Sequence, residues 1–137
     1  MTIETRIQIN APAEKVWEIF SDFEQYPEWN PFVKSLTGEV AKEKQITAVL
    51  PGMTFKPTVL KFEKDKELRW LGKLFFKGLF DGEHYFILQK NEGGSTTFVH
   101  GENFSGLLVG LFRKKLETET KAGFEEMNEA LKARAEH

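Results

Sequence analysis

A chain of 137 residues is long enough to bury one substantial core and short enough to need only one. Its 19 Lys and Arg nearly cancel its 21 Asp and Glu, and no basic stripe gathers them, so nucleic acid is not an expected partner. The lack of cysteine excludes disulfides, thiolate nucleophiles and Cys-ligated zinc, while 13 Phe against 2 Tyr imply a large aromatic interior with few polar groups of its own.

From Ile3 to Ile9 the odd positions are Ile, Thr, Ile and Ile and the even ones Glu, Arg and Gln, the period of a half-buried strand. Pro12 then opens a helical pattern carried by Val16, Trp17, Ile19 and Phe20. Ser21 and Asp22 stop that helix and start a second, which Pro27 and Pro31 restrict to a turn or two, so that Tyr26 to Phe32 form an aromatic corner. Strands are expected near 33–40, 45–50, 54–64, 67–75, 82–90 and 95–104, with short connections that favour an antiparallel meander. From about Leu107 to Ala135 the period becomes helical, with Phe112, Leu116, Thr120, Gly123, Phe124, Met127 and Leu131 along one stripe. The first twenty residues lack the basic start and unbroken apolar run of a signal peptide, and no stretch reaches the ~20 apolar residues of a membrane span. The expectation is one domain over 1–137, cytoplasmic and without stable membrane insertion.

The inward faces carry the functional signal. His84 shares a strand face with Phe86 and Leu88, and His100 and Glu102 share one with Phe98 and Phe104. If the two faces line one surface, paired positions sum to an even number, which requires an odd-length loop or a bulge around Asn91 to Gly94 and puts His84 opposite either His100 or Glu102. Three titratable groups on a Phe-lined face must find partners. They can form a satisfied structural network, anchor the polar end of a ligand, or act as catalytic acid and base. Two histidines and a carboxylate can also hold iron, but no ligand-specific spacing accompanies them, so neither metal nor cofactor is expected. Thr120 and Gly123 leave space on the helix stripe, although Gly123 also serves if the helix must approach a bulky sheet residue such as Trp70. The segment Lys77 to Gly82 exposes Leu79 and Phe80, which suit a pocket lip or, together with Leu107, a docking surface for a protein partner that the sequence does not specify.

The run Ile9-Asn10-Ala11-Pro12-Ala13-Glu14-Lys15-Val16-Trp17, followed by Ser21-Asp22-Phe23 through Trp29-Asn30-Pro31, resembles the N-terminal signature of the SRPBCC superfamily, the START-like helix-grip group. Leu68-Arg69-Trp70, Gly82-Glu83-His84-Tyr85-Phe86, His100-Gly101-Glu102 and Phe104-Ser105-Gly106 resemble its polyketide cyclase/dehydrase-like branch. The resemblance implies an α+β helix-grip fold, with a curved antiparallel sheet of about seven strands in the order β-α-α-β6-α wrapped around a long C-terminal helix and a hydrophobic cavity between them. It carries over no uniform set of catalytic residues. The resulting expectation is a hydrophobic small-molecule ligand, lipid-like or polycyclic, bound by Phe55, Trp70, His84, Phe86, Phe98, His100, Glu102, Phe104, Thr120, Phe124 and Met127. The alternative is a cyclase or dehydratase in which a pocket histidine among the candidates His84, His100 and Glu102 serves as general base.

Overall fold

A computed structural model of the chain describes residues 1–74 and 78–137. The end of the expected strand at residue 75, and Lys77 of the expected lip, lie outside the described residues.

Strand β1 (Thr2–Ile9) buries Ile3, Thr5 and Ile9, as its alternation requires. Helix α1 (Ala13–Phe20) follows Pro12 and sinks Val16, Trp17 and Phe20 into the core. A single 3₁₀ turn (Phe23–Gln25) and the short helix α2 (Tyr26–Trp29) form the aromatic corner. Two hydrogen bonds fix it. The Tyr26 hydroxyl donates to the Phe20 carbonyl at 2.5 Å, and the Asn30 Oδ1 accepts from the backbone N–H groups of Phe32 and Val33 at 3.0 and 2.9 Å. That Asn-led turn directs the Phe32 ring inward, where its centroid lies 5.2 Å from that of Phe124.

Strands β2 (Ser35–Thr37), β3 (Thr47–Leu50) and β4 (Met53–Phe55) form a small antiparallel sheet. Strands β5 (Thr58–Glu63), β6 (Glu67–Leu74), β7 (Phe80–Lys90) and β8 (Thr96–Ser105) join β1 in the order β1-β8-β7-β6-β5. The strand expected over 54–64 is therefore two strands, and the single sheet is two hydrogen-bonded sets. Pro57 lies at the break, where it has no N–H to extend a ladder. Backbone bonds from Ile46 N to the Pro57 carbonyl (3.0 Å) and from Val59 N to the Lys44 carbonyl (2.9 Å) tie the two sets together.

The C-terminal helix runs from Val109 to Ala135 as α3 (Val109–Lys115), a π turn (Leu116–Thr120) and α4 (Lys121–Ala135). The Thr118 hydroxyl donates to the Lys114 carbonyl at 2.8 Å within the widened turn. Helix α4 lies against β1, β8 and α1, and buries Phe124, Met127, Asn128, Leu131 and Ala135. The five-stranded sheet wraps around this face in the helix-grip arrangement. At Gly123 a Cβ would stand 2.8 Å from the Phe32 ring, so the residue that the helix approaches closely is Phe32 rather than Trp70. Among the described residues no helix is long and apolar enough to cross a membrane.

Candidate functional site

The β7–β8 register places His84 opposite Glu102 and Phe86 opposite His100, with a five-residue loop after the Lys90–Thr96 pair. The odd loop length puts both Phe-rich faces on one side of the sheet, with the even positions of β6 continuing that face through Leu68 and Trp70. Two glycines fit the ionisable groups into this wall. A Cβ at Gly82 would overlap the Glu102 Oε2, so the bare backbone of β7 makes room for that carboxylate. A Cβ at Gly101 would overlap the Tyr85 ring, which closes the opposite face of the sheet.

Between the two sheets and the C-terminal helix lies a cavity of about 320 Å³, within the range of small-molecule sites. Of the residues expected to bind a ligand, Phe55, Trp70, His84, Glu102, Phe104 and Thr120 line it. Phe86, Phe98, His100, Phe124 and Met127 do not line it. They form the packed core behind it, each at most 1 % exposed, because α1 closes that end: the Phe20 ring sits 5.1 Å from Phe86 and 5.9 Å from Phe98. Phe32, Leu50, Leu74, Phe80, Phe112 and Leu116 are among the other apolar residues of the wall, and Lys73, Lys115 and Glu119 stand at its exposed rim. Of the expected lip, Leu79 and Phe80 are both half-buried, with Phe80 packed against Phe104 and Phe112; Leu107 of the expected docking surface is 86 % exposed.

A chain of polar contacts leads from the cavity wall into the core, an ion-pair-distance contact at its outer end and hydrogen bonds from His84 inward. Glu102 Oε1 lies 3.1 Å from His84 Nδ1, His84 Nε2 lies 2.8 Å from His100 Nε2, and His100 Nδ1 lies 3.0 Å from Asn128 Oδ1. Asn128 Nδ2 donates to Thr5 Oγ1 at 2.8 Å, and the Thr5 hydroxyl donates to the His100 carbonyl at 2.9 Å. Asn128 and Thr5 are the members that sequence reasoning did not single out.

The last bond sets the direction of all the others. A carbonyl only accepts, so the Thr5 proton points to it and Thr5 Oγ1 must accept from the Asn128 amide. Asn128 Oδ1 is then an acceptor, so His100 carries its proton on Nδ1 and presents a lone pair at Nε2. His84 must donate from Nε2. Burial, and then the neighbouring His84, hold the His100 pKa well below the usual imidazole range, which agrees with a neutral ring. The remaining nitrogen, His84 Nδ1, faces Glu102 Oε1 at ion-pair distance.

Aromatic rings pack closely around these groups. Phe124 stacks on His100 at 4.2 Å, Phe86 on His84 at 4.6 Å, and Trp70 lies 5.2 Å from His84. Both nitrogens of His100 are hydrogen-bonded, and those of His84 face His100 and Glu102. Between His84 and Glu102, the carboxylate is the more accessible, its side chain keeping 17 % exposure against 2 % for the imidazole. Among the described residues no group of three or more His, Cys, Asp or Glu is arranged to hold a metal ion.

Comparison with known proteins places this geometry. A family model described as polyketide cyclase / dehydrase and lipid transport matches residues 1–136. Among solved structures, a START superfamily protein from Mycobacterium smegmatis superposes with a TM-score of 0.72 at 25% identity, over 98% of this chain and 97% of that one. The hypothetical protein jhp0584 from Helicobacter pylori gives a TM-score of 0.82 at 16% identity, over 98% and 88%, and MLL2253 from Mesorhizobium loti 0.76 at 21%, over 97% and 95%. No curated protein matches the chain.

Proposed function

The chain belongs to the polyketide cyclase/dehydrase and lipid transport family, within the START-like SRPBCC superfamily, and on that premise we propose that it binds an apolar small molecule, lipid-like or polycyclic, in the cavity between its sheets and C-terminal helix. The observation that carries this reading is a space of about 320 Å³ walled by Phe55, Trp70, Phe104 and Phe112, with one ionisable pair at its inner wall. Enclosing apolar surface there contributes ~25 cal/mol per Å² removed from water, and the Glu102–His84 pair orients whichever end of the guest is polar.

Filling the cavity is the direct test. Thr120 faces it from the π turn, and Thr120→Phe places a ring inside without touching the hydrogen-bond chain. The wild-type protein is expected to bind an apolar dye such as anilinonaphthalene sulfonate saturably. The variant should bind it at least ten-fold more weakly at an unchanged circular dichroism spectrum. Equal affinity in the two proteins would remove the cavity as the site.

A second reading, an enzyme that cyclises or dehydrates such a guest, is favoured by the juxtaposition of Glu102 and His84 at the cavity wall. A carboxylate backed by an imidazole inside an apolar wall is suited to accept and return a proton. Under this reading Glu102→Gln lowers turnover by roughly 10²–10⁴-fold while leaving the affinity for an uncharged guest within a few-fold.

A further inference from the structure

The hydrogen-bond chain also constrains what the guest must carry. Glu102 Oε1 faces His84 Nδ1 at 3.1 Å, which leaves Oε2 as the carboxyl oxygen that a guest can reach. That oxygen lies over the bare Cα of Gly82, itself part of the cavity wall, and has no hydrogen-bond partner among the described residues. Lys73, Lys115 and Glu119 are exposed at the rim, and both nitrogens of His84 are engaged. Thr120 adds a hydroxyl of either polarity. The inner wall therefore presents an acceptor that calls for one donor.

The rest of the inner wall is apolar, so an ammonium group would have to give up its hydration to reach this oxygen. A carboxylate guest would put two acceptors face to face, and would need a further proton to bind. An uncharged hydroxyl donates to Oε2 with no charge to bury. Resting on the reading of this cavity as the ligand site, we propose that its guest is an apolar molecule bearing a phenolic or alcoholic hydroxyl that donates to Glu102 Oε2.

Four compounds on one skeleton test this: naphthalene, 2-naphthol, 2-methoxynaphthalene and 2-naphthoate, titrated against the wild-type protein by calorimetry. A hydrogen bond to Oε2 predicts that 2-naphthol binds about ten-fold more tightly than either naphthalene or its methyl ether, and more tightly than the naphthoate. Glu102→Leu should erase the gap between naphthol and naphthalene. Glu102→Gln should keep it, since its amide nitrogen can donate to His84 Nδ1 while its oxygen takes the place of Oε2. Equal binding of naphthol and naphthalene to the wild type, or tightest binding of the naphthoate, would overturn the hydroxyl proposal and leave the cavity in place. Failure of every compound to bind saturably would bring down the cavity reading and this proposal with it. Should Glu102→Leu fail to fold, the wild-type series decides alone.

Discussion

His100 is fully buried, bonded at both nitrogens and held neutral, and this gives stability a definite dependence on pH. Its pKa in the native state is depressed below the ordinary imidazole value of 6.5. Above 6.5 the folded and unfolded chains both hold the ring neutral and His100 contributes no pH dependence. Below it the unfolded chain takes up a proton that the native ring refuses, so stability falls as pH falls, with a slope approaching ~1.4 kcal/mol per pH unit from this one residue. Urea midpoints measured from pH 7.5 down to 5 should drop more steeply for the wild type than for His100→Gln. Parallel curves would mean that the ring is not held neutral. His84, His100 and Glu102 were legible in the sequence because each interrupts a row of Phe at period two. Thr5 was legible only as one of four inward positions on β1, flanked by Ile3 and Ile7. Asn128 carried a usable signal that the apolar stripe obscured: it lies four residues after Phe124 and three before Leu131, on the same helical face, where a buried amide must have a partner.

At the scale of elements, the contact between α4 and the Asn30–Pro31 corner governs the back of the cavity. Gly123→Ala raises helix propensity by about 1 kcal/mol, yet its methyl would meet the Phe32 ring at 2.8 Å. That ring is packed against Phe124, His84 and His100 and borders the cavity, so it can yield only by moving into that space. Overpacking should dominate, for a net loss of about 1–2 kcal/mol in denaturant unfolding; a stabilised variant would show that the helix can shift freely. Strands β1, β7 and β8 were readable because one face is buried and the other solvated, which writes a period of two into the sequence. The split between β4 and β5 was marked by Pro57 but hidden by apolar residues on both sides of it. The π turn left no such mark: Leu116 to Thr120 fit the helical stripe as well as an α turn does, and the extra residue shows only in the backbone bonding.

For the molecule as a whole, a guest that binds only the folded state must stabilise it. At a free concentration one hundred times its Kd the gain is about 2.7 kcal/mol, which for a chain of this size raises the melting temperature by roughly 10 °C. A guest that saturates the protein in calorimetry yet leaves the melting temperature unmoved would have to bind the unfolded chain equally well, against an enclosed site. The hydrogen-bond chain has one further consequence at this scale. Its inner end is the His100 carbonyl on the β1–β8 ladder, a group with no proton to pass on, and its outer end is Glu102 at the cavity wall. Among the described residues this chain is a cul-de-sac with its door at Glu102. A seated guest stands in that doorway, so the same molecule that fills the cavity also shuts the chain's outer end away from bulk solvent.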